Sequence, residues 1–288
     1  FDITFPEPDR GVRDLLESVD LSQLDPVFSE TLNQIEDQIN GDIYFANSMQ
    51  QDADVVLALN FNPQSSVSYN ELPDSIVDIG KELAEAVTVS DMRGFTGNIS
   101  ILHDSSAGSG SMNQQPDADG VVRRVPLIIR YGSELFPTLS LEMLRVYNFL
   151  ESYELVTQSY NNLEVVTAVR IGKGAGAFTI PTDGRGQVNV PYVGRSSLNS
   201  NEHYPYISAT DVLRGTLSDE ERLILNNSLV LVGTSAPGLG DTRSVPLQRI
   251  YPGVEVHANI LNALLDSLAA NTINVSSGAS DTRSVFAS

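Results

Sequence analysis

The sequence has no cysteine and no tryptophan, three histidines, and only 17 basic residues against 37 acidic ones. Without cysteine the chain forms no disulfide and offers no thiolate to a metal or as a nucleophile, a composition compatible with an exported bacterial domain. The shortage of positive charge leaves a formal net charge of −20 at pH 7. A surface of that sign repels phosphate backbones and anionic headgroups, which argues against nucleic acid and peripheral membrane surfaces as partners. Long apolar runs are missing too: none approaches the ~18 residues that mark a candidate membrane helix.

Motifs of fixed spacing are equally scarce. The stretch "LVLVGTSAPGLGDTRSVP" (229–246) leaves an apolar run through Gly233, Gly238 and Gly240, yet has neither P-loop nor dinucleotide spacing and no lysine. Asp241 places a carboxylate at its mouth, and Pro246 interrupts any helix. No Gly-x-Ser-x-Gly elbow and no His-Glu-x-x-His occurs. "DADG" (117–120) resembles the opening of a calcium loop but lacks the glutamate that would complete it, so a tight turn is expected there. No cofactor and no metal is expected.

What remains is a chain of 288 residues, 41% of them hydrophobic, enough for a proper core. It begins at Phe1 without an initiator methionine or signal-peptide pattern and reads as an excised fragment. Apolar periodicity predicts a short strand at 1–5, helices at 26–39 and 42–51, and a strand at 54–61 buried on both faces. A helix at 73–87, a strand at 98–103, a small-polar loop at 104–120, a strand at 121–131 and a helix at 138–150 follow. Residues 163–194 read as rich in β-hairpins. Helices at 208–215 and 218–226, a strand at 228–233 and a helix at 253–269 close the pattern. The alternation predicts an α/β fold: a single domain over 1–269 with a mainly parallel central sheet flanked by helices, plus a β-hairpin-rich section in the middle. Residues 270–288, rich in Asn, Ser and Ala, read as a linker or tail.

The histidines are the natural place to look for chemistry. His103 ends a predicted strand and His203 lies in the loop "NEHYPY". His257 shares one helical face with Leu261, Leu264 and Leu268, so its imidazole begins an apolar stripe. A packed, hydrogen-bonded histidine is the plainer reading, and a polar group reaching a strand-end crevice the sharper one. A secreted α/β hydrolase using Ser235, Asp241 and His257 stands as the alternative function, without motif support.

Several stretches in order, "FDITFPEPDR", "GDIYFANSMQQDADVVLALNF", "DADGVVRRVPLIIRYGSELFPTLSLEML", "IPTDGRGQVNVPYVG", "YISATDVLRG", "LVLVGTSAPGLGDTRSVP" and "PGVEVHANILNALL", resemble the second class of CHASE domains. That resemblance implies a non-catalytic, extracytoplasmic (periplasmic) sensor domain of a bacterial inner-membrane receptor, most often an adenylate cyclase, otherwise a histidine or serine/threonine kinase or a diguanylate cyclase. It implies a small molecule or protein as the signal, flanking membrane helices in the parent protein, and leaves a homodimer open. Carried over, the family's signature falls on Gly240, Asp241, Pro246, Gly253, Glu255, His257 and Asn259, as ligand-binding or fold-holding residues. The family's tryptophan-containing segment has no counterpart here, so a strand-helix unit before Phe1 is expected to be missing.

Overall fold

The computed structural model describes residues 1–9, 40–51, 54–77, 79–161, 163–173, 177–198, 200, 202–226, 228–234 and 241–277. The helix expected at 26–39 lies outside them. The chain is an α/β domain.

The first described helix grows from Asn40, whose side-chain oxygen accepts from the Asp42 and Ile43 amides (2.9 and 3.2 Å) and so starts helix α1 (Gly41–Gln51). Strand β1 (Val56–Asn62) follows, with Leu57, Ala58 and Leu59 fully buried, as its continuous apolar run predicts. It lies inside a four-stranded sheet. β2 (Ser68–Tyr69) pairs parallel with β4 (Gly94–Thr96), β4 antiparallel with β1, and β1 parallel with β5 (Gly108–Ser111). Burying each large aliphatic side chain of β1 contributes roughly 1.5–3 kcal/mol.

β5 corrects the sequence reading, since "GSGS" lies in the stretch expected to be a loop. Glycine is needed there: a Cβ at Gly110 would lie 2.7 Å from the Leu139 backbone, where helix α4 (Leu139–Tyr147) crosses the strand. A second correction concerns 98–103, expected as a strand. The Asn98 side chain donates to Ala58 O (3.0 Å) and accepts from Phe5 N (2.8 Å), pinning the chain. Helix α3 (Ser100–Ser105) starts from that anchor, and Leu102 packs with Leu57 and Met49. The helix expected at 73–87 shrinks to α2 (Lys81–Ala86), because Val77 is extended in a bridge to Tyr153.

The middle of the chain is hairpin-rich, as expected. β3 (Ser90–Met92) and β8 (Glu134–Pro137) flank β7 (Ile128–Tyr131), while β6 (Arg124–Pro126) pairs with β12 (Gln187–Asn189). β9 (Tyr153–Tyr160), β10 (Leu163–Ile171) and β11 (Phe178–Pro181) form an antiparallel sheet. Among the described residues three strand pairs are parallel and six antiparallel, so the pairing is mixed rather than mainly parallel. Helices α5 (Ala209–Arg214) and α6 (Asp219–Leu225) follow, the latter opened by a capping box between Ser218 and Glu221.

The expected strands at 228–233 and 1–5 do not form ladders. The two segments meet in one backbone bond, Asp2 N to Val232 O (2.7 Å), while Leu229 and Leu231 lie half-buried against the main core. A ladder needs a neighbouring edge along its length, and a single bond does not supply one. The chain closes with the hairpin β13 (Thr242–Val245) and β14 (Gln248–Pro252), then helix α7 (Gly253–Ser277), which runs beyond residue 269. The largest core cluster joins Leu139 and Leu144 of α4, Val166 and Val169 of β10, and Val256, Ile260 and Leu264 of α7.

Candidate functional site

Five of the seven signature residues, Asp241, Gly253, Glu255, His257 and Asn259, meet at the first two turns of α7. β14 runs straight into this helix, so Gly253 opens it directly behind Pro252. Gly253 N donates to Asp241 O (2.9 Å), and a Cβ at Gly253 would collide with the Asp241 carboxylate. The glycine is required by this close approach. Asp241 is held from the other side by Arg243 (3.1 Å).

His257 faces inward, 1% exposed, and begins the stripe continued by buried Leu261 and Leu264, as its spacing predicts. Its Nδ1 lies 3.2 Å from Ser140 Oγ, which also donates to His257 O (3.1 Å), tying α7 to α4. Its Nε2 lies 3.7 Å from Asp2 Oδ1 on the extended N-terminal segment. Asp2, 4% exposed, is therefore the carboxylate beside the imidazole. The hydrolase alternative would need Asp241 in that place, and Asp241 is instead paired with Arg243. Asp2 Oδ1 and Asp241 Oδ2 are buried without a hydrogen-bond partner among the described residues.

The electrostatics follow from this burial. Asp2 is pushed up to about 7, first by burial and then by the nearby Asp241 carboxylate, with Arg243 opposing. Burial likewise pushes Asp241 up, with Arg243 opposing. His257 is lowered to about 4, mainly by burial, so it is a neutral imidazole rather than the imidazolium that pairing with a carboxylate would favour.

Glu255 and Asn259 leave α7 in another direction and anchor the loop 193–206. Glu255, 2% exposed, accepts from Ser196 Oγ (2.6 Å), Ser197 N (3.0 Å) and Tyr206 OH (2.7 Å). Asn259 accepts from Val193 N (3.0 Å) and donates to Tyr251 OH (2.8 Å). Pro246 lies exposed in the turn between β13 and β14. Gly240 and Ser235 lie outside the described residues. With His257 enclosed by Ser140 and Asp2, the imidazole has no open approach for a hydrolase substrate. The residues 117–120 form the expected turn, with Gly120 at φ 81°. Arg123 grips Asp119 (2.8 Å) and Asp117 (2.9 Å), and Arg124 grips Asp117 (2.8 Å), so these carboxylates are already neutralised.

A family model of the CHASE2 domain matches residues 1–285. The chain belongs to the CHASE2 domain family. No curated protein and no solved structure matches it. CHASE2 domains are extracellular sensory domains of signalling proteins and are not catalytic. In this CHASE2 domain the residues carried over from the resemblance divide into two groups, Asp241, Gly253 and His257 on one side of α7, and Glu255 and Asn259 on another. Sequence reasoning missed Asp2, Ser140 and the hydroxyls of Ser196 and Tyr206. For Asp2 one signal existed: the alternation of Phe1, Ile3 and Phe5 puts it on the opposite face of an extended segment.

Proposed function

We propose that this CHASE2 domain is the extracytoplasmic, periplasmic sensor of a bacterial inner-membrane receptor, held by membrane helices that flank the domain, and that its cytoplasmic effector is an adenylate cyclase. The observation that supports this reading is the attachment of one helix to three separate parts of the chain. Within two turns, α7 meets the N-terminal segment at Asp2, the β13–β14 hairpin at Asp241, and the loop 193–206 through Glu255 and Asn259. A ligand that binds one arrangement of these parts better than another shifts α7 by its differential affinity. Asp241, His257, Glu255 and Asn259 are then the residues through which the signal reaches the helix.

The test uses the full-length parent protein. Alkaline phosphatase fused after residue 269 is expected to be active, which places the domain outside the cytoplasm. Replacing Asn259 with Ala is expected to change basal cyclic AMP output while leaving the receptor in the membrane. Inactive fusions, or cyclic AMP output that stays unchanged both in Asn259→Ala and on deletion of the domain, would overturn the proposal.

A further inference from the structure

The antiparallel sheet in the middle of the chain has an open side. β9 lies at its edge, and among the described residues β10 is the one strand that pairs with it. Two bonds fix which way the backbone groups of β9 point. Val156 O accepts from Thr167 Oγ1 on β10 (3.0 Å), whereas Tyr153 N points away from β10 and donates to Ile76 O (3.2 Å). Successive residues of a strand direct these groups to opposite sides, so Leu155, Thr157 and Ser159 share the outward direction of Tyr153. The extra residue of the bulge, Thr167, lies on β10 and leaves this alternation in β9 intact. No described residue bonds to the outward backbone groups of these three. Edge strands are usually guarded by a charge, a proline or a bulge of their own. From Leu155 to Tyr160 β9 has none of these, on a chain of net charge −20. Its end is exposed as well: Tyr160 (68%) stands directly opposite Leu163 (53%), so both side chains lie on one face of the hairpin.

We propose that the outer edge of β9 is a dimerisation surface, at which a second copy of this chain adds its own β9 antiparallel about a two-fold axis at Thr157. In that register Thr157 faces the partner's Thr157 and Leu155 faces the partner's Ser159. Every outward backbone group then meets another, and about six new backbone bonds form, two at each of three opposed pairs. Thr opposite Thr is a favourable cross-strand pair. Glu154, the one charged residue of the strand, is held by Arg170 (3.3 Å) and faces the partner's Tyr160, which carries no charge. No like charges are opposed, a condition that an acidic surface rarely offers to its own copy. The contact is isologous, so it closes at two chains and uses up the edge. An extended segment of another protein would use the same backbone groups, but the two-fold match of this strand to itself favours the second copy. The dimer joins two three-stranded sheets into one, and β10 shares the main core with α7, so the joined sheet connects the cores that hold the two final helices. The inference stands independently of the sensor reading.

Sedimentation velocity of the chain over a range of concentrations is expected to show a monomer–dimer equilibrium. Ser159→Pro removes one outward amide without touching the ladder to β10, and is expected to raise the dissociation constant about tenfold or more. Gln158→Glu, at an exposed position, sets two like charges beside the axis and is expected to weaken the dimer as well, more at low salt than at high. Circular dichroism checks the fold of each variant, and Gln158→Glu decides alone if the proline variant fails to fold. Thr157→Cys reads the register. The chain has no cysteine of its own, so an oxidised dimer of this variant is linked at 157, and it is expected to form faster than that of Leu213→Cys, an exposed control on α5. Hydrogen exchange at the Thr157 and Ser159 amides is expected to slow as the dimer forms. A monomer at every concentration, a dimer indifferent to both Ser159→Pro and Gln158→Glu, or Thr157→Cys linking no faster than Leu213→Cys overturns the proposal. So does slow exchange of those two amides in a monomeric sample, because the chain then covers the edge itself.

Discussion

His257 Nε2 and Asp2 Oδ1 lie 3.7 Å apart, and both side chains are almost fully buried. With Asp2 pushed up to about 7 and His257 down to about 4, the pair holds one proton between those values, and it resides on the carboxyl group. In the unfolded chain, with values of 3.8 and 6.5, one proton is also held over most of that interval, on the imidazole. Folding therefore moves a proton from base to acid with little net uptake, and the pair is almost silent in the pH dependence of stability. Single substitutions expose its two halves.

Asp2→Asn removes the acid half. The folded value of Asp2 is raised, so its contribution is fully present below the unfolded value and is lost as pH rises through about 7. The stability of the wild type relative to Asp2→Asn is expected to fall between pH 4 and 7, by at most about 1.4 kcal/mol per pH unit. Urea denaturation at a series of pH values measures this, and a constant difference would show Asp2 to be an ordinary carboxylate.

His257→Gln should show the opposite slope. The folded value of His257 is lowered, so its contribution is present above the unfolded value of 6.5 and is lost as pH falls through about 4. The wild type is expected to gain stability relative to His257→Gln as pH rises from 4 to 6.5. NMR of the imidazole protons supplies the direct check: His257 should not titrate near 6.5.

Gly253→Ala should destabilise the domain. The added methyl group meets the Asp241 carboxylate, which is held by Arg243 while the Asp241 backbone carbonyl accepts from the Gly253 amide, so the side chain has little room to yield. The expected cost is about 1–3 kcal/mol, as for other overpacked sites. A chemical denaturation midpoint equal to that of the wild type would contradict the tight junction between hairpin and helix.

Calcium should not bind at 117–120. The Arg123 guanidinium holds Asp119 down at about 2, and Arg124 and Arg123 hold Asp117 below its usual range. A calcium ion would have to displace both arginines and still lack a full set of oxygen ligands. Isothermal titration with calcium is expected to show no saturable heat, and Asp119→Ala no change.

The amphipathic last helix was legible in the sequence down to the place of its histidine. His257, Leu261 and Leu264 recur at helical spacing, and burial of that stripe follows from the hydrophobic effect alone. The strand at 56–62 was legible for the same reason, and so was the turn at 117–120, whose Asp and Gly act locally. The β5 strand was not. "GSGS" carries every local mark of a loop, and it becomes a strand only because β1 offers an edge and α4 leaves no space for a Cβ.

The sequence by itself determined the acidic, cysteine-free character of the domain, its α/β class, and the positions of most helices, because these depend on composition and on short-range periodicity. Tertiary structure alone decided which carboxylate stands beside His257. Asp2 and Asp241 are equally plausible partners along the chain, and the choice is made by the N-terminal segment packing across α7 while Asp241 turns to Arg243 and Gly253. It also decided that the imidazole is neutral, since an ionisation state depends on the water excluded by residues far away in sequence, here Ser140 and Asp2.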